Sequence, residues 1–287
     1  MKGSATVPPS TGGDVNEPGK NDVYLPSPHG KITIEGNLTP VGGTAARITP
    51  QQYEAINQVL TGDTTTGSPF NHKRFTVTPQ VFDGDIIQTW KIDHNGKLEK
   101  SDAEVPYTKL EHYLSHYAAG GTAINRVKII DTIPNEDFVG TSVNAGELGR
   151  RIKTGNKKVA LTGDLRHYGN LDNMGNCFKG CTNLVSVERL PSVEIMSGCF
   201  SGCTSLVEVL EIPGSIHGMA YCFDGCTSLN RVTLNCSYYD AIGAFLNVFS
   251  GCNSLVDGGI KVPQGQLQAY KDHAGNMGTT ADKFSGF

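Results

Sequence analysis

The chain is short of charge: Asp, Glu, Lys and Arg make up 18% of its 287 residues, with a formal net charge of -4, against a usual share of roughly a quarter. It has no lysine- or arginine-rich stretch to neutralise phosphates or to dock on anionic lipid, so nucleic acid is not an expected partner. No run of about 18 apolar residues is present to span a bilayer, and the opening residues lack the basic-then-apolar order of a secretory signal. Also missing are G-x-S-x-G, a phosphate-cradling G-x-x-x-x-G-K-[ST], and G-x-G-x-x-G between a strand and a helix. No enzyme, cofactor or metal is therefore expected.

What the chain does have is glycine, 35 residues of it, which implies many tight turns. Residues 1–22, MKGSATVPPSTGGDVNEPGKND, are rich in Gly, Pro, Ser and Thr and have almost nothing to bury, which is the composition of a flexible tether. The missing signal has two readings, a cytosolic protein or a surface protein whose signal or anchor has been removed. A tether suits the second, although an ordinary disordered tail has the same composition.

The dominant feature is self-similarity. CFKGCTNLVSV from Cys177, CFSGCTSLVEV from Cys199, CFDGCTSLNRV from Cys222 and VFSGCNSLVDG from Val248 share the frame [C/V]-F-x-G-C-[T/N]-[S/N]-L. Phe178, Phe200, Phe223 and Phe249 recur at steps of 22, 23 and 26 residues, as do Cys181, Cys203, Cys226 and Cys252 and the leucines Leu184, Leu206, Leu229 and Leu255. Within a copy, the Phe opens a short helical turn, the Gly lets the chain bend, and the second Cys and the Leu point inward. A strand follows: Val187–Leu190, Val209–Ile212, Val232–Leu234 and Ile260–Val262 are β-prone, and Pro191, Pro213 and Pro263 end three of them. One such unit cannot bury its own apolar face, so neighbours must stack into a parallel β-ladder over Phe, Leu and Cys columns.

This frame, with a following V-x-[L/I]-P, resembles the BspA-like leucine-rich repeats of bacterial and protist surface proteins over about residues 159–272. The resemblance implies a leucine-rich-repeat solenoid and a role in adhesion or host-protein binding outside the cell, often from an anchored position. Ile260–Gly275 looks like the family's closing element, a strand and a short amphipathic helix with Leu267 and Tyr270 turned inward. The third copy departs from the pattern: Asn235–Asn247 (NCSYYDAIGAFLN) lengthens the spacing and lacks the proline, and is expected to bulge as a loop.

The fold class expected is α/β, with three parts: the tether 1–22, a small α/β N-terminal region or divergent repeats over 23–155, and the repeat solenoid with its cap over 156–287. In the second part, Thr49 to Leu60 carries helix-start chemistry, with Thr as N-cap, Pro at the first position and Tyr53, Ile56, Val59 and Leu60 on one face. Tyr107–Tyr117 has helical spacing and precedes a strand at Val127–Ile130. A further helix from Asn144 puts Leu148 and Ile152 inward, caps at Gly155 and leads into a strand at Val159–Leu161. Residues 90–98 read as a hairpin turning at Asn95-Gly96.

Eight cysteines in one half invite a metal reading, but zinc gathers four ligands around one ion, whereas these sit one per repeat position along the array. Stacked core thiols, mostly free, account for them better, with Cys236 outside the columns as the expected exposed thiol. His112 and His116 have metal-compatible spacing but not the H-E-x-x-H order, and read as a solvated pair. Asp93 to Gly96 breaks the calcium-loop register.

Binding is expected on the concave side of the ladder, at Glu188, Arg189, Leu210, Glu211, Arg231, Thr233 and Lys261, whose side chains face away from the core. Tyr238 and Tyr239 in the inserted loop are the expected aromatic anchors. These residues point to a non-catalytic, monomeric cell-surface or periplasmic protein. It would bind a host or extracellular-matrix protein, with a lipid anchor on its precursor as an option. The alternative is a glycan or small-ligand binder with its site at the junction of the N-terminal region and the repeats.

Overall fold

The computed structural model describes residues 1–3, 7, 22–26, 30–40, 42–55 and 57–287, with Leu210 described in its backbone only. Most of the proposed tether and Ile56 lie outside the described residues. The chain forms two compact units, Met1–Glu104 and Val105–Phe287, so the residues between 105 and 155 fall in the same unit as the repeats.

In the first unit, successive strands alternate between two parallel sheets. β1 (Lys2–Gly3), β3 (Ile32–Leu38) and β5 (Leu60–Gly62) form one, and β2 (Val23–Leu25), β4 (Ala46–Pro50) and β6 (Phe75–Val77) the other. Ile34, Leu38, Ile48, Leu60 and Phe75 are among the residues of their shared core. Buried Asn71 ties this core to its turns. Its amide nitrogen donates to the carbonyls of Gly36 and Asp63 at 2.9 and 2.7 Å, and its side-chain oxygen accepts from Leu38 N–H at 2.9 Å, so three backbone groups are satisfied by one side chain. The strands β7 (Gln80–Phe82), β8 (Ile86–Ile92) and β9 (Leu98–Val105) then form an antiparallel meander. Its β8–β9 turn is the Asn-Gly hairpin expected from sequence, closed by Asp93, whose carboxylate accepts from the N–H groups of Asn95 and Lys97 at 2.9 and 2.8 Å.

No α-helix occurs among the described residues of this unit, which corrects the α/β expectation for its span. The helix expected from Thr49 is absent because Thr49 and Pro50 end β4, paired with Tyr24 and Leu25. The Thr49 hydroxyl meets that of Thr78 at 2.7 Å in the interior, and Tyr53 donates to the Thr78 carbonyl at 2.7 Å. A proline at a strand end, where its missing N–H is not needed, resembles a proline at a helix start, and tertiary pairing decides between them.

The second unit repeats one step: a helix or helical turn, then a strand. α1 (Leu110–His116) leads to β10 (Ile124–Ile129), and α2 (Glu147–Thr154) to β11 (Lys158–Leu161). Helical turns then precede β12 (Leu184–Val187), β13 (Glu208–Ile212), β14 (Arg231–Leu234) and β15 (Ile260–Val262). α3 (Leu267–Asp272) precedes a strand not foreseen in the sequence, β16 (Phe284–Gly286). All seven strands lie in order in one parallel ladder. The helices and strands of 105–161 thus continue the architecture of the repeats without their Phe-Cys frame. β12 begins three residues earlier than expected, because Leu184 is buried and already paired with Val159.

The frame residues form columns. Phe178, Phe200, Phe223 and Phe249 are almost wholly buried, with neighbouring ring centroids 5.3, 5.4 and 5.6 Å apart and near-parallel planes. Each Phe N–H donates to the next copy: Phe178 to the carbonyl of Cys199, Phe200 to that of Cys222, Phe223 to that of Val248. The frame glycines stack too. All four have positive φ of 65 to 74°, and a Cβ on Gly251 would stand 3.3 Å from the Cα of Gly225, so the position requires glycine both for its left-handed backbone and for space. Two residues before each Phe the backbone is again left-handed, at Asn176, Gly198, Tyr221 and Asn247. Asn and Gly suit that region, whereas Tyr221 is strained there.

Cysteine has a specific use. The thiols of Cys203, Cys226 and Cys252 each donate to the carbonyl of the preceding copy's Phe at 3.0 Å, and Cys181 does the same to Gly149 of α2 at 3.3 Å. A small, mostly apolar side chain with one weak donor fills the column and satisfies a buried carbonyl at once. Gly149 is fixed by the same contact zone, since a Cβ there would lie 2.2 Å from the Cys177 carbonyl oxygen. The first copy has Asn183 where the others have Ser. Its amide donates to the carbonyls of Ile152 and Lys157 at 2.8 and 2.9 Å, satisfying the end of α2. All eight cysteines are buried and free. Cys236 corrects the sequence reading: it is fully buried, its sulfur 3.4 Å from the Tyr270 hydroxyl, because the strand-to-loop turn folds back under α3.

Three outcomes are expected. Phe200→Ala, which removes the ring between two others, destabilises the unit by about 3–5 kcal/mol, read by chemical denaturation, and Tyr221→Asn stabilises it by about 1 kcal/mol through relief of backbone strain. A thiol reagent labels none of the cysteines in the native chain and all eight after denaturation; rapid native labelling of Cys236 would contradict its placement. Burial pushes the Cys252 thiol up to about 12 and raises Cys177, Cys199 and Cys222 well above their ordinary value. A folded value above the unfolded one favours the neutral thiol. That contribution is therefore complete below the ordinary thiol value and is lost as pH rises toward 12, so thermal melts should hold steady from pH 6 to 8 and fall steeply above about pH 9.

Candidate functional site

The ladder buries one face against the Phe, Cys and Leu columns and exposes the other. Alternation along the strands assigns the side chains: Val187, Val209, Ile212, Val232, Leu234, Ile260 and Val262 are buried, and Ser186, Glu208, Arg231, Thr233 and Lys261 look outward, while the register of β13 shifts between Val209 and Ile212. Register then places the outward residues in rows across the strands. Ser186 lies opposite Glu208, and Glu208 opposite Arg231. Thr233 lies opposite Lys261, and Lys261 opposite Ser285.

Of the residues expected at this face, Arg189, Glu211, Arg231 and Lys261 are exposed, and Glu188 and Thr233 half-buried. The side chain of Leu210 lies outside the described part of the structure. Glu188 is oriented by its carboxylate, which accepts from Gly163 N–H at 3.0 Å. Arg189 reaches Asp164 at 3.4 Å, both largely in solvent, a pairing of small energetic value. Two depressions mark the face. One, of about 490 Å³, is lined by Glu188, Arg189 and Glu211 together with Asp164 and Asn235. The other, of about 160 Å³, is lined by Glu208, Arg231, Thr233 and Lys261. Glu208 adds to the residues expected from sequence: β13 begins at Glu208, one residue before the expected Val209, and alternation with buried Val209 turns it outward.

The inserted segment has a packed base and an exposed tip. Tyr238 is half-buried, with its ring stacked on His273 at 4.4 Å and against Phe245 at 5.2 Å and Tyr270 at 5.7 Å. Burial, followed by the neighbouring Asp240 carboxylate, raises the pKa of its hydroxyl. This ring is therefore committed to packing. Tyr239 remains 50% exposed, edge-on to His217 at 5.8 Å, and Ile242 is fully exposed.

The thiols are sealed in the interior in their neutral form, which removes them as nucleophiles. His112 and His116, ring centroids 4.3 Å apart on α1, stand beside Tyr117. Among the described residues no group of three or more His, Cys, Asp and Glu is placed to hold a metal ion, and no helix is long and apolar enough to cross a membrane.

Comparison with known families matches residues 173–271 to the BspA type leucine rich repeat region, in six copies, two more than the phenylalanine frame alone picks out. No curated protein and no solved structure matches the chain. The match begins just before Met174, where the first helical turn forms, and ends within α3. The stacked segment from 173 to 271 is thus a BspA-type leucine-rich-repeat region, as its C-F-x-G-C-T-S-L frame implied.

Proposed function

We propose that the chain is a non-catalytic binding protein of the bacterial cell surface or envelope, a repeat solenoid whose open strand face takes a protein ligand from the host or the extracellular medium. The observation that carries this reading is the uncovered ladder. Glu208, Glu211, Arg231 and Lys261 stand exposed in the middle of a sheet, where a globular enzyme would pack helices on both faces of a parallel sheet. A rigid, wide surface with mixed charge and shallow depressions suits a protein partner better than a small molecule, which needs an enclosed pocket. The repeat family supports an interaction role in the same direction. Tyr239, half exposed in the inserted segment, supplies an aromatic contact of small entropic cost. No cofactor has a part in this reading, and a monomer suffices for it.

A panel of extracellular-matrix and cell-surface proteins, tested against the immobilised chain, decides the matter. Saturable binding is expected to at least one, weakened about tenfold or more by Glu211→Ala/Arg231→Ala/Lys261→Ala and less by Tyr239→Ala, with the melting temperature unchanged. Binding that survives the triple substitution would remove the strand face from the account.

A further inference from the structure

The outward rows of the ladder change sign at one place. In one row Ser186 and Glu208 are followed by Arg231; beside it Glu188 and Glu211 line one depression, and Thr233 is followed by Lys261. The acidic residues thus belong to β13 and the position following β12, and the basic ones to β14 and β15. Glu208, Glu211, Arg231 and Lys261 are exposed, and none of them forms an ion pair among the described residues. Other charges near the face are already paired: Arg189 is drawn to Asp164, and Arg126 and Lys128 on β10 have partners of their own, whereas Glu188, oriented by Gly163 N–H through one oxygen, keeps its charge. The larger depression lies among Asp164, Glu188 and Glu211, and the smaller straddles the change of sign, with Glu208 on one side and Arg231 and Lys261 on the other.

We propose that the ligand of the strand face is an extended polypeptide segment with separated charges, its cationic part over β12 and β13 and its anionic part over β14 and β15. This inference rests on the strand-face reading above and adds the chemistry of the partner. Charge complementarity selects such a segment and disfavours its uniformly charged alternatives, since either sign alone meets repulsion over half the face. The spacing agrees. Neighbouring strands are roughly 4.8 Å apart, so Glu188 and Lys261, three strand steps from one another, are separated by roughly 14 Å across the ladder, the length of about four residues of extended chain. With side chains on one side every second residue, roughly 7 Å apart, about three of them cover this distance, so the segment places a cation and an anion about four residues from one another.

The test uses the full chain and two fluorescent heptapeptides of identical composition, Lys-Ser-Lys-Ser-Glu-Ser-Glu and Lys-Ser-Glu-Ser-Lys-Ser-Glu, compared by anisotropy at low and moderate salt. The separated-charge peptide is expected to bind about fivefold or more tightly than its alternating isomer, with the difference shrinking as salt rises. In Arg231→Glu/Lys261→Glu the preference disappears and a Lys-only heptapeptide becomes the best ligand, while thermal unfolding matches the parent chain. Equal binding of the isomers, a preference that persists in the variant, or no binding of either peptide overturns the inference. The two failures remain distinguishable: if the protein panel still shows binding that the triple alanine substitution weakens, the strand face binds a ligand of different charge pattern; if it does not, the strand-face reading falls as well.

Discussion

No copy of the repeat can bury its own phenylalanine. Each ring stacks on its neighbours in the column, the N–H groups of Phe178, Phe200 and Phe223 are satisfied by carbonyls of the next copy, and the carbonyls of the same three residues accept a thiol from that copy. These three requirements share one period, so the register of one copy on the next is fixed by all of them together. A polar residue in the Phe column or a bulky one in the glycine column disrupts two neighbours as well as its own copy, and for this reason the frame varies so little across its four occurrences. Stability in such an array belongs to the interfaces between units more than to the units themselves.

The same constraint sets the surface. With the columns on the inner side, strand alternation leaves no freedom in which residues face outward, and the period then lines those residues up in rows across the sheet. Recognition can therefore vary at Glu208, Arg231 or Lys261 without disturbing a single column contact. The first unit solves its packing differently, with two interleaved parallel sheets tied by the buried Asn71 amide and the Thr49–Thr78 hydroxyl pair.

The repeats were legible because their signal is redundant: three residue columns agree over four copies, and one frame predicts ladder, columns and outward faces together. α1, α2 and the Asp93–Lys97 hairpin were legible from local chemistry alone. The failures share a cause. Thr49-Pro50 and Cys236 take their structure from residues far away in sequence, Thr78 and Tyr24 for the first and Tyr270 for the second, and a local pattern has no access to such partners. β16 is too short, at three residues, to carry a periodic signal, and it exists because Phe284 covers the Tyr270 ring at 5.6 Å. At the candidate site, Glu211, Arg231 and Lys261 could be read from alternation, whereas the commitment of Tyr238 to packing could not, since it depends on His273 coming back across from α3.

The claim on which the account rests is that the copies are stable only through one another. Native-state hydrogen exchange of the backbone amides of Phe178, Phe200, Phe223 and Gly202, each bonded to the next copy, tests it most directly. The account predicts that these amides exchange together, with one opening free energy close to that of the whole unit, and that Phe200→Ala lowers protection in the copies on both sides as much as in its own. Copies that opened independently, with the loss confined to the substituted one, would contradict it.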